Sequence, residues 1–135
     1  MNPPNPNGSE PAKGNGALIY VVDDEPMLLE LATVVLEPLG YRIKTFRDPA
    51  SAMRAFVCAE PPPALVITDY AMHSMNGLEL MAACRRKQPG QKVLLLSGTV
   101  DEQVYRDSPQ KPDHFLSKPY QAKQLISAVQ LLLTK

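Results

Sequence analysis

Ala17-Leu18-Ile19-Tyr20-Val21-Val22-Asp23-Asp24-Glu25-Pro26 is the stretch on which the rest of the chain turns. Its first six residues run apolar without alternation, as a strand buried on both faces requires. The run breaks on three acids and a proline. The period then changes. Leu28, Leu31, Ala32, Val35, Leu36 and Leu39 recur at helical spacing, with Pro38 in the last turn and Gly40 at the stop. A buried strand, a polar corner and an amphipathic helix therefore follow one another.

The same unit repeats. Tyr41–Phe46 reads as a short strand, and Arg42 and Lys44 suit an edge position. Asp48-Pro49 reads as an N-cap with proline in the first helical position, opening a helix with Ala52, Ala55, Phe56 and Ala59 on one face. Pro61-Pro62-Pro63 ends it. Ala64–Thr68 is a second continuous apolar strand and runs into Asp69. Gly77 precedes a helix from about Leu78 to Lys87, closed by Pro89-Gly90. Val93–Leu96 is a third apolar strand, ending at Ser97. A weak helical stretch lies near Asp101–Asp107. Phe115–Leu116 is a short strand ending at Lys118, and the final helix carries Leu125, Ala128, Val129, Leu132 and Leu133 on one face.

Five alternations of strand and helix imply a parallel sheet covered on both faces, with right-handed crossovers. The expected fold is α/β: a doubly wound, five-stranded parallel sheet of flavodoxin-like order 2-1-3-4-5. Residues 1–16, with four prolines, three glycines and four asparagines, bury too little to offset their ordering entropy and are expected to form a flexible tail before a domain at 17–135.

Composition narrows the function. The chain has 135 residues, one domain's worth, and 44% are hydrophobic. Fourteen basic residues balance fourteen acidic ones, so charge offers no attraction to nucleic acid or to an anionic membrane. No apolar run approaches the ~20 residues of a spanning helix, and the N-terminus lacks a signal-peptide core, so the expected location is the cytoplasm. Cys58 and Cys84 lack the spacing of a metal knuckle or redox pair and read as reduced packing residues.

In a doubly wound sheet the site lies at the carboxyl ends of the strands, where strand order reverses. Asp23 and Asp24 follow the first strand, Asp69 the third, Ser97 the fourth and Lys118 the fifth. Order 2-1-3-4-5 puts the first and third strands side by side, so three carboxylates converge. Two like charges ~4 Å apart repel by about 4 kcal/mol at an effective dielectric of 20. Such a cluster needs a cation or a shifted proton, and oxygen-only donors favour a hard ion such as Mg2+.

Taken in order, Val21-Val22-Asp23-Asp24-Glu25-Pro26, Thr68-Asp69 with Met72, Met75 and Gly77, Leu96-Ser97-Gly98, and Leu116-Ser117-Lys118-Pro119-Tyr120 resemble the receiver domains of response regulators, over about Leu18 to Leu133. Each piece alone has an ordinary reading as a helix cap, a turn or a surface lysine; their joint order at strand ends is what carries the likeness. The resemblance implies that Asp69 is the phosphoacceptor. It implies that Asp24, Asp69 and the backbone carbonyl of Ala71 ligate Mg2+, with Asp23 acting through metal-bound water. Lys118 and Ser97 would hold phosphoryl oxygens, and Ser97 and Phe115 would form the switch. The phosphodonor would be a histidine kinase or a histidine phosphotransfer protein. Such a domain catalyses only its own phosphorylation and dephosphorylation. His73 departs from the proline usual four residues after the phosphoacceptor; it is expected to be a surface loop residue, with contact to the site or tuning of metal binding as the alternative, and His114 is expected to lie at the surface.

An aspartate-nucleophile phosphatase of the haloacid dehalogenase type wants a second acid where Ala71 stands. Flavin binding wants a hydroxyl- or glycine-rich loop where Asp23-Asp24-Glu25-Pro26 stands. A pseudo-receiver, a binding module that works without phosphorylation, is the remaining alternative, although Asp24, Asp69 and Lys118 are all present. The 17 residues after Lys118 suffice for one helix, so no DNA-binding or enzymatic output domain is expected. The stretch from Gly98 to Ser108 contains Thr99, Val100 and Val104 and is followed by Pro109 and Pro112. It allows roughly two helical turns, held by packing of Val100, Val104 or Tyr105. The start of the last helix, Gln121-Ala122-Lys123-Gln124, offers one cation. These features predict a mobile, monomeric output face that binds an unknown protein partner rather than a second copy.

Overall fold

The computed structural model describes residues 15–98, 106 and 108–134. The expected tail, apart from Asn15 and Gly16, and the expected helical stretch near Asp101–Asp107, apart from Arg106, lie outside the described residues.

Five strands, β1 (Leu18–Val22), β2 (Arg42–Phe46), β3 (Leu65–Asp69), β4 (Val93–Ser97) and β5 (His114–Ser117), form one parallel sheet in the order β2-β1-β3-β4-β5. Every residue of β3 and β4 is buried, and β1 is buried from Ile19 onward, which is why these strands read as unbroken apolar runs. β2 lies at one edge, with Arg42, Lys44 and Thr45 exposed and Phe46 turned inward. Its start is tied to the residues before β1: the Gly16 amide donates to the Gly40 carbonyl at 2.7 Å and Arg42 Nε to the Gly16 carbonyl at 2.8 Å.

Strand alternation divides the core in two. Ile19, Val21, Leu65, Ile67, Leu94 and Leu96 face a layer made by α1 (Pro26–Leu36) and α4 (Ala122–Leu133), through Leu29, Ala32, Leu36, Leu125, Ala128 and Val129. Tyr20, Val22, Val66 and Val93 face α2 (Pro49–Cys58) and α3 (Gly77–Lys87), through Ala52, Phe56, Leu80, Met81 and Cys84. Each large side chain so buried contributes about 1.5–3 kcal/mol of transfer free energy. The apolar stripe of α1 is rotated one position from its expected line: Leu29 is buried while Leu28 and Leu31 are half-buried, because the helix packs against α4 as well as the sheet.

Local chemistry sets the helix limits. α1 gives way at Glu37 to a single 3-10 turn containing Pro38, and Gly40, at φ 100°, supplies the left-handed residue that ends it. Asp48 caps α2, accepting from the Ser51 amide at 2.8 Å, with Pro49 in the first turn. α3 begins with a capping box: the Asn76 side chain accepts from the Glu79 amide at 2.8 Å, and Glu79 accepts from the Asn76 amide at 2.9 Å. Arg85, Arg86 and Lys87 stand at the negative end of its dipole. Arg85 also ties this helix end to the approach to β5. It donates to Asp113 Oδ2 at 2.8 Å and to the Lys111 carbonyl at 2.8 Å, while the same Asp113 oxygen accepts from the Val93 amide at 2.7 Å.

The cysteines differ. Cys84 is buried, and burial pushes its thiol up to about 12. Cys58 is exposed, so its packing role is corrected: it sits on the outer side of the last turn of α2.

Candidate functional site

Pairing of β1 with β3 sets Val22 against Thr68, so Asp23 and Asp69 leave the sheet side by side. Asp23 is fully buried, Asp69 is nearly so, and Asp24 is half-exposed at the rim. One carboxylate oxygen from each lies within 4.8 Å of the others. The Asp23 backbone is held by its amide, which donates to the Phe46 carbonyl at 3.1 Å, and its Oδ1 accepts from the Glu25 amide at 3.0 Å. The three carboxylates expected to converge therefore do so.

Lys118 reaches in from the end of β5. Its amide donates to the Ser97 carbonyl at 2.7 Å, which carries the chain across from β4. Its Nζ stands 3.0 Å from Asp69 Oδ1 and 3.4 Å from Asp23 Oδ2. The Lys118–Pro119 peptide is cis. Burial pulls the Lys118 ammonium down, but the hydrogen bond to Asp69 and the charges of Asp23 and Asp69 outweigh it, and its pKa is raised. One lysine does not neutralise the cluster. Burial lifts Asp23 to about 6 against the opposing pull of the Glu25 amide and Lys118, and burial raises Asp69 as well. Tyr120 is half-buried, and burial, with the Asp23 charge next, pushes its phenol up to about 12.

Ser97 is buried at the end of β4, with its hydroxyl 3.3 Å from the Gly98 carbonyl. Phe115 is half-buried on β5, and Ala71 is exposed in the loop after β3. That loop is closed by the Gly77 amide, which donates to the Tyr70 carbonyl at 2.8 Å. Gly77 could carry no side chain here: a Cβ would lie 2.5 Å from the Asp69 carbonyl oxygen and 2.7 Å from Leu95 Cδ1. Met72 and Met75 pack against the α2–α3 side of the core, as expected of loop packing residues. His73 is exposed, with Nε2 4.0 Å from Asp24 Oδ2, so it is both a surface residue and a neighbour of the acids.

The model of the response regulator receiver domain matches residues 19–130, which takes in every residue of the site. The chain belongs to the response regulator receiver family. Among curated relatives, this receiver domain is 29% identical to the probable transcriptional regulatory protein TcrX of Mycobacterium tuberculosis, over 92% of this chain and 53% of that protein. It is 30% identical to the DNA-binding response regulator MtrA of Mycolicibacterium smegmatis, over 87% of this chain and 50% of that one. The receiver domain thus spans about half the length of the curated relatives it matches. DNA binding is stated of MtrA. A receiver domain from Clostridium thermocellum superposes with a TM-score of 0.80 at 25% identity, covering 87% of this chain and 94% of that one. TrrA of Thermotoga maritima, in complex with Mg(2+)-BeF, gives 0.74 at 31% identity, covering 87% and 99%. No helix among the described residues is long and apolar enough to cross a membrane.

The donor set of this receiver domain fits a hard divalent ion. It is all oxygen, it is compact, and it includes a fully buried carboxyl whose ionised form one lysine does not compensate. The sequence reading missed two parts of the site. The influence of the acids on Tyr120 could have been suspected from its place two residues after Lys118. The contact that excludes any side chain at position 77 has no local sign beyond the glycine itself.

Proposed function

We propose that this receiver domain takes a phosphoryl group from a histidine kinase or a histidine phosphotransfer protein onto Asp69, with Mg2+ held by Asp24, Asp69 and the Ala71 carbonyl and, through water, by Asp23. The observation that carries the reading is Lys118 Nζ at 3.0 Å from Asp69 within the three-carboxylate cluster. A lysine beside the acceptor oxygen holds it in place and stands ready as a point charge for a phosphoryl oxygen. Bound Mg2+ supplies the remaining positive charge that phosphoryl oxygens require.

In the transfer, an Asp69 oxygen attacks phosphorus, the P–O bond forms, and the P–N bond to the donor imidazole breaks. The bonding pair leaves with the nitrogen. The transition state is loose, so alignment and charge neutralisation do most of the work. Water later hydrolyses the acyl phosphate, which makes the signal transient. Ser97 hydrogen-bonds a second phosphoryl oxygen and with Phe115 relays the change to a protein-binding face. Cytoplasmic residence and a monomeric phosphorylated form belong to the same proposal. Asp24, Asp69 and Lys118 stand together, and nothing in the site favours a module that works unphosphorylated.

Intact-mass measurement after acetyl phosphate treatment tests the reading. Wild type should gain one phosphoryl group in Mg2+ and none in EDTA, and Asp69→Asn should gain none at a comparable rate. Labelling of Asp69→Asn at the wild-type rate, or labelling indifferent to EDTA, overturns it.

A further inference from the structure

The loop between Asp69 and α3 carries a histidine that the phosphoryl-transfer reading leaves unused. Its backbone is closely determined. Met72 is anchored inward, with Sδ 3.9 Å from Thr68 Oγ1, and the Met75 amide donates to the His73 carbonyl at 2.7 Å. Ser74 sits between them at φ 68°, a left-handed conformation that costs a non-glycine residue about 1 kcal/mol or more. The turn presents the His73 ring to the rim of the carboxylate cluster. Nε2 is 4.0 Å from Asp24 Oδ2, too long for a hydrogen bond.

That separation is suited to a shared ion. Two donors at ~2.1 Å from one metal stand about 3 Å apart when adjacent and about 4.2 Å when opposite. Asp24 is also the most accessible of the three acids, so an ion on it is open to an incoming nitrogen. Carboxylates and water suit Mg2+, whereas an added imidazole favours the later first-row ions, whose affinity for a given donor set rises towards nickel and copper.

We propose that His73 acts as a nitrogen donor beside Asp24 and shifts the preference of the cation site from Mg2+ towards later first-row divalent ions. This rests on the reading of Asp23, Asp24 and Asp69 as a divalent-cation site. In solution containing such ions at low concentration, the site would hold them in competition with Mg2+.

Calorimetric titration of the untagged full chain with Ni2+ and, separately, with Mg2+ tests it, at one fixed pH above the imidazole range. His73→Ala should weaken Ni2+ binding by about ten-fold or more and Mg2+ binding far less, so that the ratio of the two affinities falls. His114→Ala should leave the ratio at the wild-type value, because only two histidines are present and His114 lies on β5 away from the acids. An unchanged ratio in His73→Ala, or an equal fall in His114→Ala, overturns the role of His73 while leaving the Mg2+ site standing. Undiminished binding of both ions by Asp69→Asn overturns the cation site itself and this proposal with it. Thermal unfolding of each variant in EDTA shows that it is folded.

Discussion

At the scale of single residues, the site is a store of unfavourable charge. Burial lifts Asp23 from the ordinary 3.8 to about 6, so the folded protein binds that proton more tightly than the unfolded chain does. The contribution of Asp23 to stability without metal is therefore fully present below about pH 4 and is lost as pH rises through about 6. A gap of about two units is worth on the order of 3 kcal/mol. The melting temperature in EDTA should fall across that window, and Asp23→Asn should flatten the slope; a wild-type curve that climbs there contradicts the burial argument. Asp69 is raised in the same direction, so Asp69→Asn should melt above wild type in EDTA near neutral pH. Lys118→Ala should do the opposite. It leaves both carboxylates without their partner and should cost on the order of 1–3 kcal/mol, less than a fully buried pair because Lys118 is partly exposed. Denaturant titration of the two variants checks the opposed signs. Saturating Mg2+ should raise the wild type by about 2.7 kcal/mol at a hundred times its dissociation constant.

At the scale of elements, the strands that matter most were the easiest to read. β1, β3 and β4 are covered by helices on both sides, and Val21-Val22-Asp23 or Ile67-Thr68-Asp69 shows in one dimension where cover ends and the polar corner begins. The Asp48 cap was legible for the same reason, since its partner is three residues away. Features set by distant neighbours were not. The rotation of α1 onto Leu29 depends on α4, and the exposure of Cys58 on how α2 sits. Gly77 is the sharpest case. Alanine at a helix start ordinarily gains up to ~1 kcal/mol over glycine, yet here its methyl would meet the Asp69 carbonyl and Leu95. Gly77→Ala should therefore lose about 1–3 kcal/mol, as an overpacked site does, and should weaken Mg2+ binding because the backbone that must yield belongs to Asp69. A variant as stable as wild type in thermal unfolding, with unchanged Mg2+ affinity, contradicts this.

At the scale of the whole molecule, two devices away from the acids act, one on the fold and one on its outer border. Asp113 accepts from both the Val93 amide and Arg85, joining the start of β4, the end of α3 and the approach to β5. Asp113→Ala should cost about 1–3 kcal/mol because it leaves the Val93 amide without its acceptor and removes one of the contacts of Arg85, which keeps the Lys111 and Gln91 carbonyls, and chemical denaturation should show it with little effect on Mg2+ affinity. The other device is the outer border of the sheet. β2 ends the order there, and a parallel sheet can in principle accept another strand at such a border. Arg42 and Lys44 stand exposed along it, and Arg42 is already committed to the Gly16 carbonyl. A second copy approaching by the same border would bring cation against cation. The charges that looked neutral in the overall balance thus keep crowded copies of this chain from growing into one continuous sheet.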